Sequence, residues 1–337
     1  MGYKLGILDQ SPIFPGKNAF DALQQTIHLA CKAEEWGYSR FWVAEHHHME
    51  DVAGSSPEVL ISHLLAQTNS IQIGAGGIML QHYSPYKVTE NFHVLSTLSP
   101  GRVDLGVGPS PGGLPLSTKA LQYGTENGGK DFAERLTLIK ALVEDSIETD
   151  HPLAGIQALP RPPIKPGVFL LGGSENSARL GAGLGVHFVF ANFLIGNEEV
   201  LAEAARLYRE NHPDGIFIAA VSVLAAPDQK AAEDLAAEHT LYEIHLSSGR
   251  TLKVQSLQQV TAYEKQAVEP FEVKEIKANI IAGTPGRVKA ELDRLHQEYQ
   301  IDEFILHTPI RKEEERFRSF KLLSPLPVNK KILQEIK

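Results

Sequence analysis

Short apolar runs alternate with longer segments of helical period along most of this chain. The run Lys4–Leu8 precedes a segment that begins at the helix-capping residue Asn18, repeats apolar residues at helical spacing and stops near Gly37. Similar pairs of elements follow, with Pro57 and Pro85 at helix starts. The pattern predicts strands at Lys4–Leu8, Arg40–Glu45, Ile71–Leu80, Val103–Val107, Val168–Leu171, His187–Ala191, Ile216–Leu224 and Glu303–His307.

These eight strand–helix units favour a closed parallel barrel over an open doubly wound sheet. No G-x-G-x-x-G motif follows the first strand, which argues against a Rossmann domain. We therefore expect an α/β fold, a (β/α)8 TIM barrel, forming one domain over residues 1–337 with loop insertions near 109–129 and 245–278. The stretch Pro109–Gly129 is predicted to be loop, Gln229–Ala267 to be helical with a break near Ser247, and no hairpin is expected.

Composition narrows the possible partners. The chain is 42% hydrophobic and 22% charged, as is usual for a globular protein, and its net charge of -9 argues against binding to nucleic acid or anionic membranes. Neither a signal peptide nor an apolar stretch of the roughly 20 residues that span a bilayer is expected. The single cysteine, Cys31, excludes an internal disulfide framework and fits a cytoplasmic location.

The most informative segment is Phe41–His48, in which an apolar strand runs into Glu45 and three histidines. In a parallel barrel the carboxyl ends of the strands carry the catalytic groups. Strand alternation would send His46 and His48 to one side and His47 to the other. These imidazoles could handle protons, orient a ligand, supply two metal ligands or merely bond backbone carbonyls. Metal binding is the weaker option because the later strand ends supply mostly Gly, Ser and Asn.

A second candidate is Gly172–Ser177, which places a strand end, two glycines and hydroxyls at the start of a helix. Exposed backbone N–H groups and the helix dipole favour an anion there, and Ser174 or Ser177 could donate to a phosphate. The alternative is ordinary capping, in which Ser174 or Asn176 satisfies the first helical turn.

The third and fourth strands carry further signals. Gly76–Gly77 lies in the middle of strand three, where glycine would let a flat ligand lie against the backbone or would permit a barrel bend. Near strand four, Arg102 and Asp104 are expected to form a structural ion pair.

Together these residues resemble the luciferase-like flavin-dependent monooxygenases, the family of bacterial luciferase. The resemblance covers nearly the whole chain. It is strongest over Gly37–Gly108, where the family has a G-[YF]-x-x-x-W-x-x-E-H-H strand, a strand ending in small residues and a G-R-x-[DN]-x-G segment. Further blocks match at Leu171–Gly185 and at Gly283–Pro285 with the closing strand.

The resemblance implies a TIM barrel that binds FMN at the carboxyl ends of its strands. His46 matches the family's catalytic histidine beside the reactive edge of the flavin, and Glu45 and His47 complete that motif. Gly76–Gly77 matches a small pair that family members join by a non-prolyl cis peptide against the flavin ring. The flavin-binding residues implied by the matched blocks are Gly76, Gly77, Gly108, Gly173, Ser174 and Ser177.

The chain departs from the family after strand four. Pro109 stands where relatives commonly have an arginine on the flavin phosphate. Such an ionic hydrogen bond contributes roughly 1.5–3 kcal/mol, so weak flavin retention, a compensating cation elsewhere or lost activity would follow. The sequence after Leu80 departs as well, and His82 and Tyr83 are expected to reshape the substrate side.

The activity implied by the resemblance is a two-component monooxygenase. A separate reductase would supply reduced FMN, and the enzyme would use O2 to oxygenate a small organic substrate, with His46 as acid, base or hydrogen-bonding partner. A deazaflavin cofactor is a variant of this reading. The alternatives are a non-catalytic, degenerate flavin-binding barrel and a metal-dependent hydrolase using His46 and His48. A homodimer is also implied, and Ser110–Gly129 and Ser247–Lys253 are candidate lids.

Overall fold

Parallel strands close into a barrel at the centre of this computed structural model, which describes residues 2–125, 129–249 and 251–326. The first strands are β1 (Lys4–Asp9), β2 (Arg40–Val43), β3 (Gln72–Ala75) with its continuation β4 (Ile78–Met79), β5 (Val103–Gly108), β6 (Gly167–Gly172), β7 (His187–Phe190) and β8 (Phe217–Ala225). They are followed by β9 (Thr240–Leu246), β10 (Thr251–Val254), β11 (Phe271–Lys277), β12 (Ile280–Gly283) and β13 (Glu303–His307). β13 pairs in parallel with both β8 and β1, so the barrel is closed and the predicted TIM-barrel fold is confirmed.

Helices surround the barrel. They are α1 (Ala19–Glu35), α2 (Pro57–Gln67), α3 (Pro85–Leu98), α4 (Pro115–Leu121), α5 (Phe132–Glu144), α6 (Glu175–Leu184), α7 (Asn192–Ile195), α8 (Glu198–Asn211), α9 (Gln229–Ala237), α10 (Leu257–Glu264), α11 (Pro285–Tyr299) and α12 (Glu313–Leu322). The predicted cap Asn18 accepts from the first turn of α1 and forms a capping box with Asp21. Pro57 and Pro85 begin α2 and α3, where a missing N–H does no harm.

The barrel interior is filled by side chains from successive strands. Leu8, Trp42, Phe169, Ile218 and Ile305 form part of this inner cluster, and none is more than 4% exposed. A larger apolar layer lies between the outer faces of the strands and the helices. The barrel is therefore a packed core whose strand ends are free to carry chemistry.

An ionic cluster lies in this interior and corrects one sequence prediction. Asp104 pairs with Arg40 at 2.6 Å rather than with Arg102, and Arg40 also binds Glu303 at 2.8 Å. Arg102 instead donates to the backbone carbonyl of Thr68 at 3.0 Å. The expected pair fails because Arg102 precedes β5 and faces the neighbouring loop, whereas Asp104 is buried within the strand.

The predicted helical stretch Gln229–Ala267 is wrong over much of its length. β9 pairs antiparallel with both β10 and β11, and β9 and β10 form a hairpin where none was expected. The sequence did carry the signal, since Tyr242, Ile244 and Leu246 alternate with polar residues before Ser247–Gly249. Beyond this stretch, β12 pairs in parallel with β8.

The two predicted insertions pack against each other. The first is not entirely loop, because it contains α4, and Leu114 at the start of that helix joins a cluster with Ile244, Leu246 and Tyr263 of the second. Residues 126–128 and 250 of these segments lie outside the described residues. The contact brings both candidate lids to the same side of the molecule.

Candidate active site

The carboxyl end of β2 departs from the expected extended path. β2 ends at Val43, and His48 has a positive φ of 55°, so strand alternation does not continue through the three histidines. The backbone N–H of His46 donates to the Gly54 carbonyl at 2.8 Å, and that of His47 donates to the Gly112 carbonyl at 2.8 Å. The loops after β2 and β5 are thereby joined over the end of the barrel.

Glu45 is the most constrained side chain of this cluster. It is 1% exposed, and its Oε1 lies 2.6 Å from Nε2 of His47. Oε1 also accepts from the Tyr83 hydroxyl at 2.7 Å, while Oε2 accepts from the backbone N–H of Met79 at 3.0 Å. Burial and the nearby Glu45 carboxylate raise the pKa of Tyr83, so this hydroxyl keeps its proton and acts as a donor.

The sequence placed His82 and Tyr83 on the substrate side, and the structure gives each a defined contact. Nε2 of His82 lies 2.9 Å from the Pro111 carbonyl, and its Nδ1 lies 3.1 Å from Nε2 of Gln122. Tyr83 instead reaches Glu45. His82 therefore binds the loop after β5, whereas Tyr83 belongs to the glutamate–histidine cluster.

Several buried polar atoms at the strand ends have no hydrogen-bond partner within the described chain. They include Nδ1 of His46 and Oδ1 of Asn192, which follow β2 and β7, and Nδ1 of His307 and Oγ1 of Thr308 at the end of β13. Unpartnered buried polar groups are unusual in proteins, and at the strand ends they are groups that a bound ligand or water can satisfy. The last three residues were not predicted from the sequence, although each is polar and lies at the end of a strand or within two residues of it.

Two imidazoles of this end, those of His46 and His307, are held neutral. Burial lowers the pKa of His46 to about 4. Burial, followed by the charge of Arg316 and the nearness of His46, lowers the pKa of His307 to about 3. Near neutral pH both rings can therefore accept or donate a hydrogen bond without carrying charge.

Gly76 and Gly77 are joined by a cis peptide bond and separate β3 from β4, so predicted strand three is interrupted at this pair. A Cβ at Gly77 would lie 3.0 Å from the carbonyl of Gly106, so a side chain there would force the neighbouring backbone to shift. Gly108 differs, since the nearest atom to its Cβ position is the Leu171 carbonyl oxygen at 3.8 Å. The side of Gly108 is open and could face a ligand.

The start of α6 is capped by Ser174, as the alternative to an anion site predicted. Oγ of Ser174 accepts from the backbone N–H of Ser177 at 3.2 Å and lies 3.0 Å from Oγ of Ser177. A Cβ at Gly173 would meet the side chain of Ile195 at 2.6 Å. The first turn of α6 carries Glu175, whose carboxylate interacts favourably with the helix dipole but would repel a bound anion.

Pro109 occupies the turn directly after β5, and its carbonyl accepts from Nε2 of Gln81 at 3.1 Å. Its own side chain is exposed and can offer no charge. Within residues 2–125, 129–249 and 251–326, no group of three or more His, Cys, Asp and Glu side chains is arranged to hold a metal ion. Over the same residues, no helix is both long and apolar enough to cross a membrane.

The strands β2, β3, β5 and β6 are consecutive neighbours in the sheet and run parallel. Their carboxyl ends therefore lie together at one end of the barrel. A family model described as luciferase-like monooxygenase matches residues 3–300. The chain belongs to the luciferase-like monooxygenase family. The resemblance stated from the sequence is thus confirmed over nearly the full length.

Relatives in this family cover nearly the whole chain. The N-acetyl-S-alkylcysteine monooxygenase of Bacillus subtilis (strain 168) is 46% identical over 324 residues, covering 95% of this chain and 97% of that protein. A luciferase-like monooxygenase of Escherichia coli (strain K12) is 31% identical and covers 94% of each chain. The crystal structure of apo-MsnO8 superposes with a TM-score of 0.77 at 30% identity, covering 96% of this chain and 97% of the other. These similarities support an oxygenase enzyme.

Two more distant structures share the fold and differ in cofactor. The oxygenating constituent of 3,6-diketocamphane monooxygenase from Pseudomonas putida, in complex with FMN, has a TM-score of 0.69 at 17% identity. An F420-dependent secondary alcohol dehydrogenase, in complex with an F420-acetone adduct, has a TM-score of 0.68 at 19% identity. The barrel architecture alone therefore does not choose between a flavin and a deazaflavin.

Proposed function

We propose that this protein is an FMN-dependent monooxygenase of the two-component type, which uses reduced flavin from a separate reductase and O2 to oxygenate a small organic substrate. The observation that carries the proposal is the buried Nδ1 of His46, which has no partner in the described chain at the position matching the family's catalytic histidine. A buried imidazole without a partner is expected where a ligand completes its hydrogen bonding.

The residues present fit a flavin. The open side of Gly108 leaves room for a flat ring beside β5, next to the Gly76–Gly77 pair. At α6, the Ser177 hydroxyl and the backbone N–H groups that the Ser174 cap leaves free would hold the phosphate despite the like charge of Glu175, and Gly173 and Ser174 would form the turn around it. Because Pro109 supplies no cation, we expect the phosphate to be bound less tightly than it would be with an arginine at this position.

When bound in its reduced form, the flavin would supply the electrons that activate O2. His46, neutral near pH 7, would donate or accept one hydrogen bond at the reactive edge. Glu45 would fix the orientation of His47, and Tyr83 would fix that of Glu45. The neighbouring loops would exclude water from the reacting atoms.

The first candidate substrate is an N-acetyl-S-alkylcysteine, the class named for the relative that is 46% identical. In such a molecule the thioether sulfur is the atom open to oxygenation. We also propose one domain in a cytoplasmic homodimer. Phe20, Val59 and Leu98, on neighbouring helices of the amino-terminal half, are 68–69% exposed and support an apolar dimer contact.

The proposal is tested by titrating the apoprotein with FMN, riboflavin and F420, with each cofactor oxidised and anaerobically reduced. We expect saturable binding of FMN, and weaker binding of riboflavin because it lacks the phosphate. Ser177→Ala should weaken FMN binding and leave riboflavin binding unchanged. Preferential binding of F420 would favour the deazaflavin reading, and no binding of any of the three would contradict the proposal.

Catalysis is tested separately with a flavin reductase, NADH, FMN and N-acetyl-S-ethylcysteine. Substrate-dependent formation of an oxygenated product is the expected result, and His46→Ala should abolish it. Flavin binding without turnover of any thioether or other organic substrate would favour the non-catalytic barrel. Stoichiometric zinc, manganese or iron in the purified protein would favour the metal-dependent hydrolase.

A further inference from the structure

A small cavity lies beside the proposed reaction centre, between the segments that follow β1, β2 and β13. Its volume is about 180 Å³, and one wall is closed by Gln255 of the second insertion. Drug-sized ligands occupy roughly 300–1,000 Å³, so this space suits a small metabolite. His307 also lines the cavity. Its pKa is lowered in part by the nearness of His46, so the cavity lies close to that histidine.

Two of the lining side chains are buried and lack partners. His307 is 8% exposed and Thr308 is 3% exposed, and neither Nδ1 of the first nor Oγ1 of the second has a hydrogen-bond partner in the described chain. Because the His307 ring is held neutral, it and the Thr308 hydroxyl offer uncharged hydrogen bonds. Such groups suit the amide or carboxyl oxygens of a ligand.

The cavity also carries one arginine with spare donors. Arg316 is already committed to the buried carboxylate of Asp9 at 2.8 Å. Arg311, in contrast, is half-exposed at the rim and forms only a long ion pair with Asp51, another lining residue, at 3.7 Å, which is too far for a hydrogen bond. Its guanidinium can therefore turn to a planar anion, for which arginine is well suited.

The remaining wall is largely apolar. Pro12, Ile13 and Phe14 come from the segment after β1, and Val52 and Ile310 face the same space. A ligand that fills the cavity thus needs an alkyl portion for this wall and a polar, acidic end for the rim. An apolar pocket with a few convergent polar groups is the usual form of a small-molecule site.

We infer that this cavity binds the acidic end of the substrate, with Arg311 pairing to a carboxylate and His307 and Thr308 bonding its amide or carboxyl oxygens. The inference rests on the proposed function and deepens it, because it assigns the residues of that same site that bind the acidic end of the substrate. Arg311 is then the residue that selects acids over their neutral derivatives.

The test is calorimetric binding of N-acetyl-S-ethylcysteine and its methyl ester to the full chain, with and without FMN. The ester removes the charge of the acid and adds one methyl group. We expect the acid to bind about tenfold to a hundredfold more tightly than the ester. Arg311→Gln should abolish that preference, and Arg311→Lys should keep part of it because the charge remains.

Lys312→Gln is the matched control. It removes one positive charge at the next position, from a side chain that pairs with Glu238 and Glu315 rather than lining the cavity. Equal binding of acid and ester would overturn the inference, as would equal losses from Arg311→Gln and Lys312→Gln. Flavin titration distinguishes the two failures. If FMN binds but the acid is not preferred over the ester, only the inference is contradicted. If FMN does not bind, the proposed function is contradicted.

Discussion

The hydroxyl of Tyr83 donates a hydrogen bond to the carboxylate of Glu45 across 2.7 Å. The same carboxylate contacts His47 and the backbone N–H of Met79. The four residues come from the ends of neighbouring barrel strands, so one buried acid links two loops that would otherwise move separately. A carboxylate with several partners in a buried place holds its neighbours in one geometry.

Tyr83→Phe removes one of these hydrogen bonds without changing the size of the ring. We expect the free energy of unfolding to fall by about 1–3 kcal/mol, because a buried carboxylate loses a donor. If His47 is positioned through Glu45, kcat of the proposed oxygenation should also fall while Kd for FMN stays constant. Urea unfolding and flavin titration check the two effects. Tyr86→Phe is the control, since that hydroxyl bonds an exposed backbone carbonyl, and an equal loss there would contradict the prediction.

Gly108 and Gly77 should respond differently to alanine. Gly77→Ala places a Cβ 3.0 Å from the Gly106 backbone, so it should destabilise the fold by about 1–3 kcal/mol. Gly108→Ala makes only ordinary contacts and should change stability by no more than about 0.5 kcal/mol. If the flavin lies beside Gly108, the same change should weaken FMN binding by at least about tenfold. Thermal unfolding and FMN titration separate the two effects.

The control for both is Gly183→Ala, because no atom lies within 4 Å of that Cβ position in α6. It should leave FMN binding unchanged and should not destabilise the protein, since alanine favours a helix over glycine. An unchanged Kd in Gly108→Ala would show that the open side of β5 does not face the cofactor.

The ion pair inside the barrel gives a third prediction. Arg40→Met leaves the carboxylates of Asp104 and Glu303 without their shared partner, although both are at most 3% exposed. Removing one member of such a buried cluster costs about 3–5 kcal/mol of stability. Arg102→Met, which removes a partly exposed side chain and leaves no carboxylate without its partner, should cost clearly less in the same urea titration. A loss below about 1 kcal/mol for Arg40→Met would contradict this account.

Most of the barrel could be predicted from the sequence because its strands are short, apolar and separated by well-capped helices. Asn18, Pro57 and Pro85 mark helix starts through local chemistry that tertiary structure does not override. The error over Gln229–Ala267 has a local cause as well. The alternation of β9 is only seven residues long and follows a true helix, so the helical period was extended too far.

The candidate site was harder to predict because its key contacts join distant parts of the chain. Glu45, His46 and His47 could be found from their unusual density at one strand end. The bond from Tyr83 to Glu45 and the unpartnered Thr308 depend on how the loops close over the barrel. Likewise, Arg102 and Asp104 are neighbours in sequence, yet Asp104 pairs across the barrel with Arg40. Which charges pair depends on where each side chain is buried and which way it points, and the separation of two residues in the sequence does not determine either.

The buried histidines give a pH dependence with a definite sign. The pKa of His307 is lowered to about 3 and those of His46 and His187 to about 4, each chiefly by burial, from an unfolded value near 6.5. Between pH 6.5 and about 4 the unfolded chain therefore binds more protons than the folded chain. Stability from these groups is fully present above pH 6.5 and is lost on acidification, by up to about 1.4 kcal/mol per pH unit for each histidine.

The measurement is urea unfolding from pH 6.5 to 5.0 at constant ionic strength, a window chosen to lie above the ordinary range of carboxyl titration. His307→Gln should reduce the slope of the free energy of unfolding against pH, because one group that resists protonation in the folded state is gone. His63→Gln, which makes the same substitution at an exposed position, is the matched control. Equal slopes in all three proteins would mean that His307 takes up its proton in the folded state as readily as in the unfolded chain, and that the strand-end cavity is wet enough to hold a charged ring.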